Sequence, residues 1–197
     1  EGGAFVLGEE RLRLEVSGAT KSGSGFLLFK GDIFHDAVAN RVDVDLREAY
    51  AGFRGGQFDL RLGRQIVTWG VGDLFFINDV FPKDWESFFS GRPMEYLKRG
   101  VDAVRLQYSS EALNVDVVAT PFFTGDALPS PKRFSLYNPF LAVAEQHEYT
   151  PSARAENTEV GLRLYRRMAG FDVSLYGHRG FWRMPGASVN SHNGTPQ

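Results

Sequence analysis

Charged side chains in this sequence recur at every second position. Arg11, Arg13 and Glu15 alternate with Leu12, Leu14 and Val16, and Asp43, Asp45 and Arg47 alternate with Val42, Val44 and Leu46. Asp59 and Arg61 alternate with Phe58, Leu60 and Leu62. Lys30, Asp32, Arg105, Asp116, Glu159, Arg163 and Asp172 keep the same polar parity in other segments. Acids and bases in this set are nearly equal in number, so their chemistry is cross-strand ion pairing along a wet wall. A pore lined by them is expected to have weak ion selectivity, since no sign of charge is focused. Glu48 and Arg64 break the rule by falling on the apolar parity. If Gly55-Gly56-Gln57 forms the hairpin loop, Glu48 faces Arg64 across two strands. Three arrangements fit this pair: a β-bulge that rotates it to the polar side, an ion pair near a membrane interface, or contact with a partner or packed loop.

Other chemistry is sparse. His35, His147, His178 and His192 show no metal-ligand spacing, and the chain has no cysteine. No G-x-S-x-G elbow or phosphate-cradling glycine loop is present. No catalytic site, metal or cofactor is therefore expected. With 22 basic against 24 acidic residues, the chain lacks the basic stripe of a nucleic-acid binder.

The elements that must position the charges are strands, because a period of two puts successive side chains on opposite faces. Eight are expected, at about 9–19, 25–35, 42–54, 57–70, 101–110, 112–123, 157–168 and 171–183. Many glycines (22) and aromatic residues (17 Phe, 7 Tyr and 3 Trp) suit such a fold. Ten-residue alternating strands match a tilted bilayer span, and no apolar run is long enough for a membrane helix. Short turns at 55–57, 110–111 and 169–170 contrast with long segments at 71–100 and 124–156. Aromatic residues mark the strand ends: Tyr50, Phe53, Phe58, Trp69, Phe122, Phe123, Tyr165, Phe171, Phe181 and Trp182. A soluble sandwich would turn the apolar parity inward; a membrane barrel turns it toward lipid and lines its lumen with charge. Strand length, loop asymmetry and aromatic ends favour the barrel.

Leu46-Arg47-Glu48-Ala49-Tyr50, Gly63-Arg64-Gln65-Ile66-Val67-Thr68-Trp69-Gly70 and Asp79-Val80-Phe81-Pro82-Lys83-Asp84 resemble a Gram-negative outer-membrane family. That family is a domain of unknown function distantly similar to alginate-export-type porins. In this chain the third motif has one residue fewer before its proline than the family pattern. The resemblance covers about residues 10–123. It implies an outer-membrane location, a barrel larger than eight strands, and a channel or exporter role.

The whole chain, 1–197, is thus read as an all-β antiparallel transmembrane barrel domain of about eight strands, or a segment of a larger one. The polar composition of 188–197 is read as loop, which favours the segment. Its expected function is a channel or exporter for a solute or lipid-like substrate. The alternatives are a structural or assembly subunit of an envelope complex, or a soluble β-barrel or sandwich that binds a ligand. Expected partners are outer-membrane lipid and lipopolysaccharide, with other barrel segments or envelope proteins. Within 71–100, Pro82 is expected to open a short helix that puts Trp85, Phe88 and Phe89 on one side. With Phe81 they are candidates for a lumen constriction or for an aromatic cap on the rim. Segment 124–156 is expected to be a long outer loop.

Overall fold

The computed structural model describes residues 5–69, 79–130, 133–134, 149–184 and 186, and the backbone of 191–192 and 195–196. Alternating segments become β1 (Glu9–Ala19), β2 (Gly25–Asp36), β3 (Arg41–Gly55), β4 (Phe58–Gln65), β5 (Val101–Ser109), β6 (Asn114–Thr120), β7 (Glu159–Met168) and β8 (Phe171–Arg179). Each pairs antiparallel with its neighbour in chain order, giving one eight-stranded sheet. Among the described residues β1 and β8 are its two edges and do not meet, so these eight strands do not close into a barrel by themselves. A separate two-stranded ribbon joins β9 (Ser191–His192) to β10 (Thr195–Pro196).

The connections at one end of the sheet are tight. Ala169 and Gly170 both have positive φ (50° and 86°), as a two-residue turn that follows the strand twist requires. The Thr20 amide donates to the Gly25 carbonyl at 2.8 Å to close the turn between β1 and β2. The connection between β2 and β3 lies at the opposite end, as do the points where β4 and β6 stop and β5 and β7 begin.

Strand β4 stops at Gln65 instead of continuing to 70. Val67 and Trp69 leave the ladder and bury themselves with Phe81, Val101, Ala103 and Val118 in a small core. Gly63, two residues before the strand ends, has a φ of 123°, and a methyl group at this position would collide with the Ala49 carbonyl oxygen. Gly63→Ala is expected to cost about 1–3 kcal/mol through strain and clash, read as a lower urea midpoint in detergent. Strands β6 and β8 are likewise shorter than their alternation, at 114–120 and 171–179.

The two faces differ in kind. We call inner the face on which residues 79–100 pack, and outer its opposite. Outer positions include Leu12, Leu14 and Val16 on β1, Leu60 and Leu62 on β4, Val104 and Leu106 on β5, and Leu162 and Leu164 on β7. Leu14 is 59% exposed and Leu62 51%. The outward charges lie toward strand ends: Glu10, Arg64, Asp102 and Arg179 at the long-loop end and Arg166 near the tight turns. Phe53, Phe58 and Phe171 are exposed beside those turns, and Phe58 contacts Tyr108 at 5.0 Å. Tyr50 and Tyr165 instead point inward, and Trp69 is buried in the core, so these three do not join an outer girdle.

Candidate functional site on the inner polar face

The site begins with the inward parity of the strands. Arg11 and Arg13 both hold Asp32, at 3.1 and 2.8 Å. Lys30 lies 3.6 Å from Glu15, and Arg41 3.2 Å from Asp43. Asp59 accepts from Arg61 and Arg54 at 3.0 and 2.7 Å. Arg105 forms a two-pronged pair with Asp116 at 2.9 and 2.6 Å, and Glu159 binds Arg183 at 2.7 Å. Arg163 stacks over Tyr165 at 4.4 Å. Asp172 stands opposite Arg167 at the exposed tight-turn end. Much of the polar parity read from sequence is thus ion-paired, with the driest pairs at Asp32, Asp116 and Glu159, whereas Arg163 and Asp172 have no oppositely charged side chain within 4.0 Å among the described residues.

Glu48 and Arg64 do not face each other. The register sets Arg64 opposite Ala49 and Glu48 opposite Lys30. The turn is the cause: Gly55 pairs with Phe58, so the loop is Gly56-Gln57 and not Gly55-Gly56-Gln57, and facing positions on β3 and β4 move by one. On the β2 side a bulge on β3 pairs Lys30 with Glu48 and the next residue, Gly31, with Leu46, leaving Arg47 without a β2 partner. One extra residue shifts parity, so Arg47 and Glu48 both belong to the inner side. Arg64 remains on the outer side, where it donates to the Leu46 carbonyl at 2.7 Å and lies 3.5 Å from Asp102.

Residues 79–100 fold down onto this wall. Helix α1 (Trp85–Ser90) starts three residues after Pro82. The Asp84 carboxylate caps it by accepting from the Ser87 amide at 2.8 Å, and Gly91 ends it with φ of 81°. The small residues Ser87 and Ser90 are its buried positions, whereas Phe89 is exposed, so the expected aromatic side is not the packed one. Trp85, Phe88 and Phe89 instead form an edge-to-face chain at 6.0 and 5.3 Å. Phe81 alone of the four aromatic candidates enters the core, with its ring 5.0 Å from Trp69.

A short 3₁₀ turn (Met94–Leu97) supplies the tightest docking. The Tyr96 ring lies under three guanidiniums, those of Arg11, Arg47 and Arg13, at 4.4, 4.9 and 5.3 Å, and its hydroxyl accepts from Arg13 at 2.6 Å. Arg47 donates to the Glu95 carbonyl at 2.5 Å, while the Glu95 carboxylate binds Arg13 at 3.0 Å. Arg92 pairs with Glu9, and Arg133 with Asp36 and Glu86. Residues 124–130 run alongside: Asp126 accepts from the Lys83 amide and the Trp85 indole at 2.8 and 2.9 Å. The early part of the expected outer loop is therefore tied to the inward segment.

Sequence reasoning located the wall but missed Glu9, Tyr96, Arg92, Arg133 and Arg183. Glu9 was readable, since it continues the Arg11–Arg13 parity by one step. The others sit in aperiodic segments, where spacing carries no direction.

Lys83 and Asp79 form a buried pair at 2.9 Å. Burial is the largest influence on Lys83 and holds its ammonium below the usual lysine range, against the opposing pull of the Asp79 carboxylate. A lysine with a lowered folded pKa binds protons less readily folded than unfolded. Its unfavourable contribution therefore fades as pH rises from the lowered folded value toward 10.5. The gain in urea resistance over that interval should exceed that of Lys83→Met, which has no such proton to release.

Among the described residues no group of three His, Cys, Asp or Glu side chains could hold a metal ion. No helix there is long and apolar enough to cross a membrane, which says nothing of crossing by strands. No protein-family model, curated protein or solved structure matches the chain. The resemblance to the outer-membrane family accordingly rests on its own motifs.

Proposed function

We propose that this chain is a wall of an outer-membrane β-barrel that passes a solute or lipid-like molecule along its inner face. The observation that carries the reading is the inversion of the sheet. Its outer face exposes leucine and valine rows uncharged between the strand ends, while its inner face pairs charges beneath a folded-in segment. In water a monomer rarely leaves such contiguous apolar rows exposed. In lipid it is the expected order. Outer-membrane lipid, including lipopolysaccharide, is then the partner of the outer face. Residues 79–100 narrow the lumen, since they dock on the charged wall at the long-loop end and not on the outer rim.

The open edges of β1 and β8 favour closure by further strands, from the same protein or another envelope subunit, because unpaired edges cannot face hydrocarbon. That second source is the structural-subunit form of the same reading. A soluble sandwich is disfavoured by the absence, among the described residues, of any second layer on the apolar face.

The test is extraction and refolding. The protein should require detergent, float with liposomes, and migrate in SDS gels as a folded band that shifts only after heating. Recovery as a monodisperse protein without detergent would overturn the reading.

A further inference from the structure

A cavity of about 320 Å³ opens between the β3 bulge and residues 84–100, at the lower end of the size range for small-ligand sites. Its acids are engaged elsewhere or only loosely held. Asp43 binds Arg41, Asp84 caps α1, and Glu86 binds Arg133. Three of its guanidiniums, by contrast, have a carbonyl oxygen as their closest partner, Arg64 donating to that of Leu46 at 2.7 Å. Arg47 donates to the Glu95 carbonyl at 2.5 Å and Arg99 to the Gly125 carbonyl at 2.6 Å. The Arg47 side chain is 5% exposed, its Nε has no partner among the described residues, and its nearest acid is Asp45 at 3.5 Å. Arg99 has no carboxylate within 4.0 Å among the described residues. Gly100 keeps the backbone close here, since a side chain would meet the Arg47 carbonyl at 2.5 Å.

Guanidiniums offer five donors each and favour planar or tetrahedral oxyanions. Carbonyl partners neutralise hydrogen bonds but not charge. We propose that the cavity beside Arg47 and Arg99 binds a small solute through an oxyanion group, a carboxylate or a phosphate. It deepens the proposed transport function by naming a substrate class, and rests on that reading only for the solute's onward path. Asp45 competes with the ligand for Arg47 and keeps the affinity modest.

Calorimetric titration of the full chain in detergent micelles with citrate and with inorganic phosphate, against glucose as the uncharged control, tests this. At least one anion should bind saturably and glucose should not; which anion binds distinguishes the two sources. Arg47→Met and Arg99→Gln should each weaken binding about tenfold. Asp45→Asn should tighten it about threefold, a gain that misfolding cannot imitate. No saturable anion binding, or affinity unchanged in all three variants, overturns the proposal. Loss of liposome insertion with intact anion binding would sink the transport reading alone, and intact insertion without binding would sink the cavity alone.

Discussion

Asp116→Ala should be among the most damaging single substitutions in the chain. Asp116 is 1% exposed and accepts from Arg105 at 2.6 Å and from the Trp69 indole at 3.0 Å. Its loss strands a largely buried guanidinium and frees the indole that anchors the core with Phe81. Breaking a buried pair from one side costs about 3–5 kcal/mol. Arg105 retains some exposure, so the lower end, about 3 kcal/mol, is expected. The folded SDS band should convert at clearly lower temperature. Arg105→Met combined with Asp116→Leu should recover part of the loss, because no charge is then left alone. A silent single substitution would mean that the inner wall is solvated at this height.

Leu106→Arg carries the second large effect. Leu106 lies mid-strand on the outer face, between Leu60 of β4 and Val117 of β6. At the middle of a bilayer a lipid-facing arginine costs about 2–4 kcal/mol, falling toward zero near the interface. On a water-facing surface the same change is worth about 0.5 kcal/mol or less. Folding yield into liposomes should therefore collapse for Leu106→Arg and stay close to wild type for Glu10→Arg, which is outward but at the strand entrance. Equal yields for the two would place the leucine rows in water.

Much of the fold was legible because a strand writes its two faces into alternate residues. The expected starts of β1, β2, β5 and β8 coincide with the observed ones. Where the alternation misled, a backbone irregularity intervened. Arg47 sits in a bulge, so counting by twos through it puts Glu48 on the wrong face, and a turn one residue shorter than Gly55-Gly56-Gln57 sets Arg64 opposite Ala49 instead of Glu48. Past Gln65 the pattern Ile66–Trp69 still looks like strand, yet Val67 and Trp69 bury themselves in the core formed with Phe81, which no local spacing announces. In 79–100 the aromatic residues attracted attention, while the contacts that hold the segment come largely from Tyr96 and its three arginines. Those partners lie more than forty residues away in sequence. Proline also misled: Pro82 suggested a helix start, but the first amides are capped by Asp84.

On the proposed function the leucine and valine rows meet lipid while the charged rows meet water. The chain has no cysteine, so single cysteines can be introduced without background. Spin labels placed in turn at positions 102–108 of β5, in liposomes, would report collision rates with oxygen and with a water-soluble nickel chelate. A period of two is expected, with oxygen favoured at 104 and 106 and the chelate favoured at 105 and 107. Chelate access at 104 and 106 equal to that at 105 and 107 would contradict it.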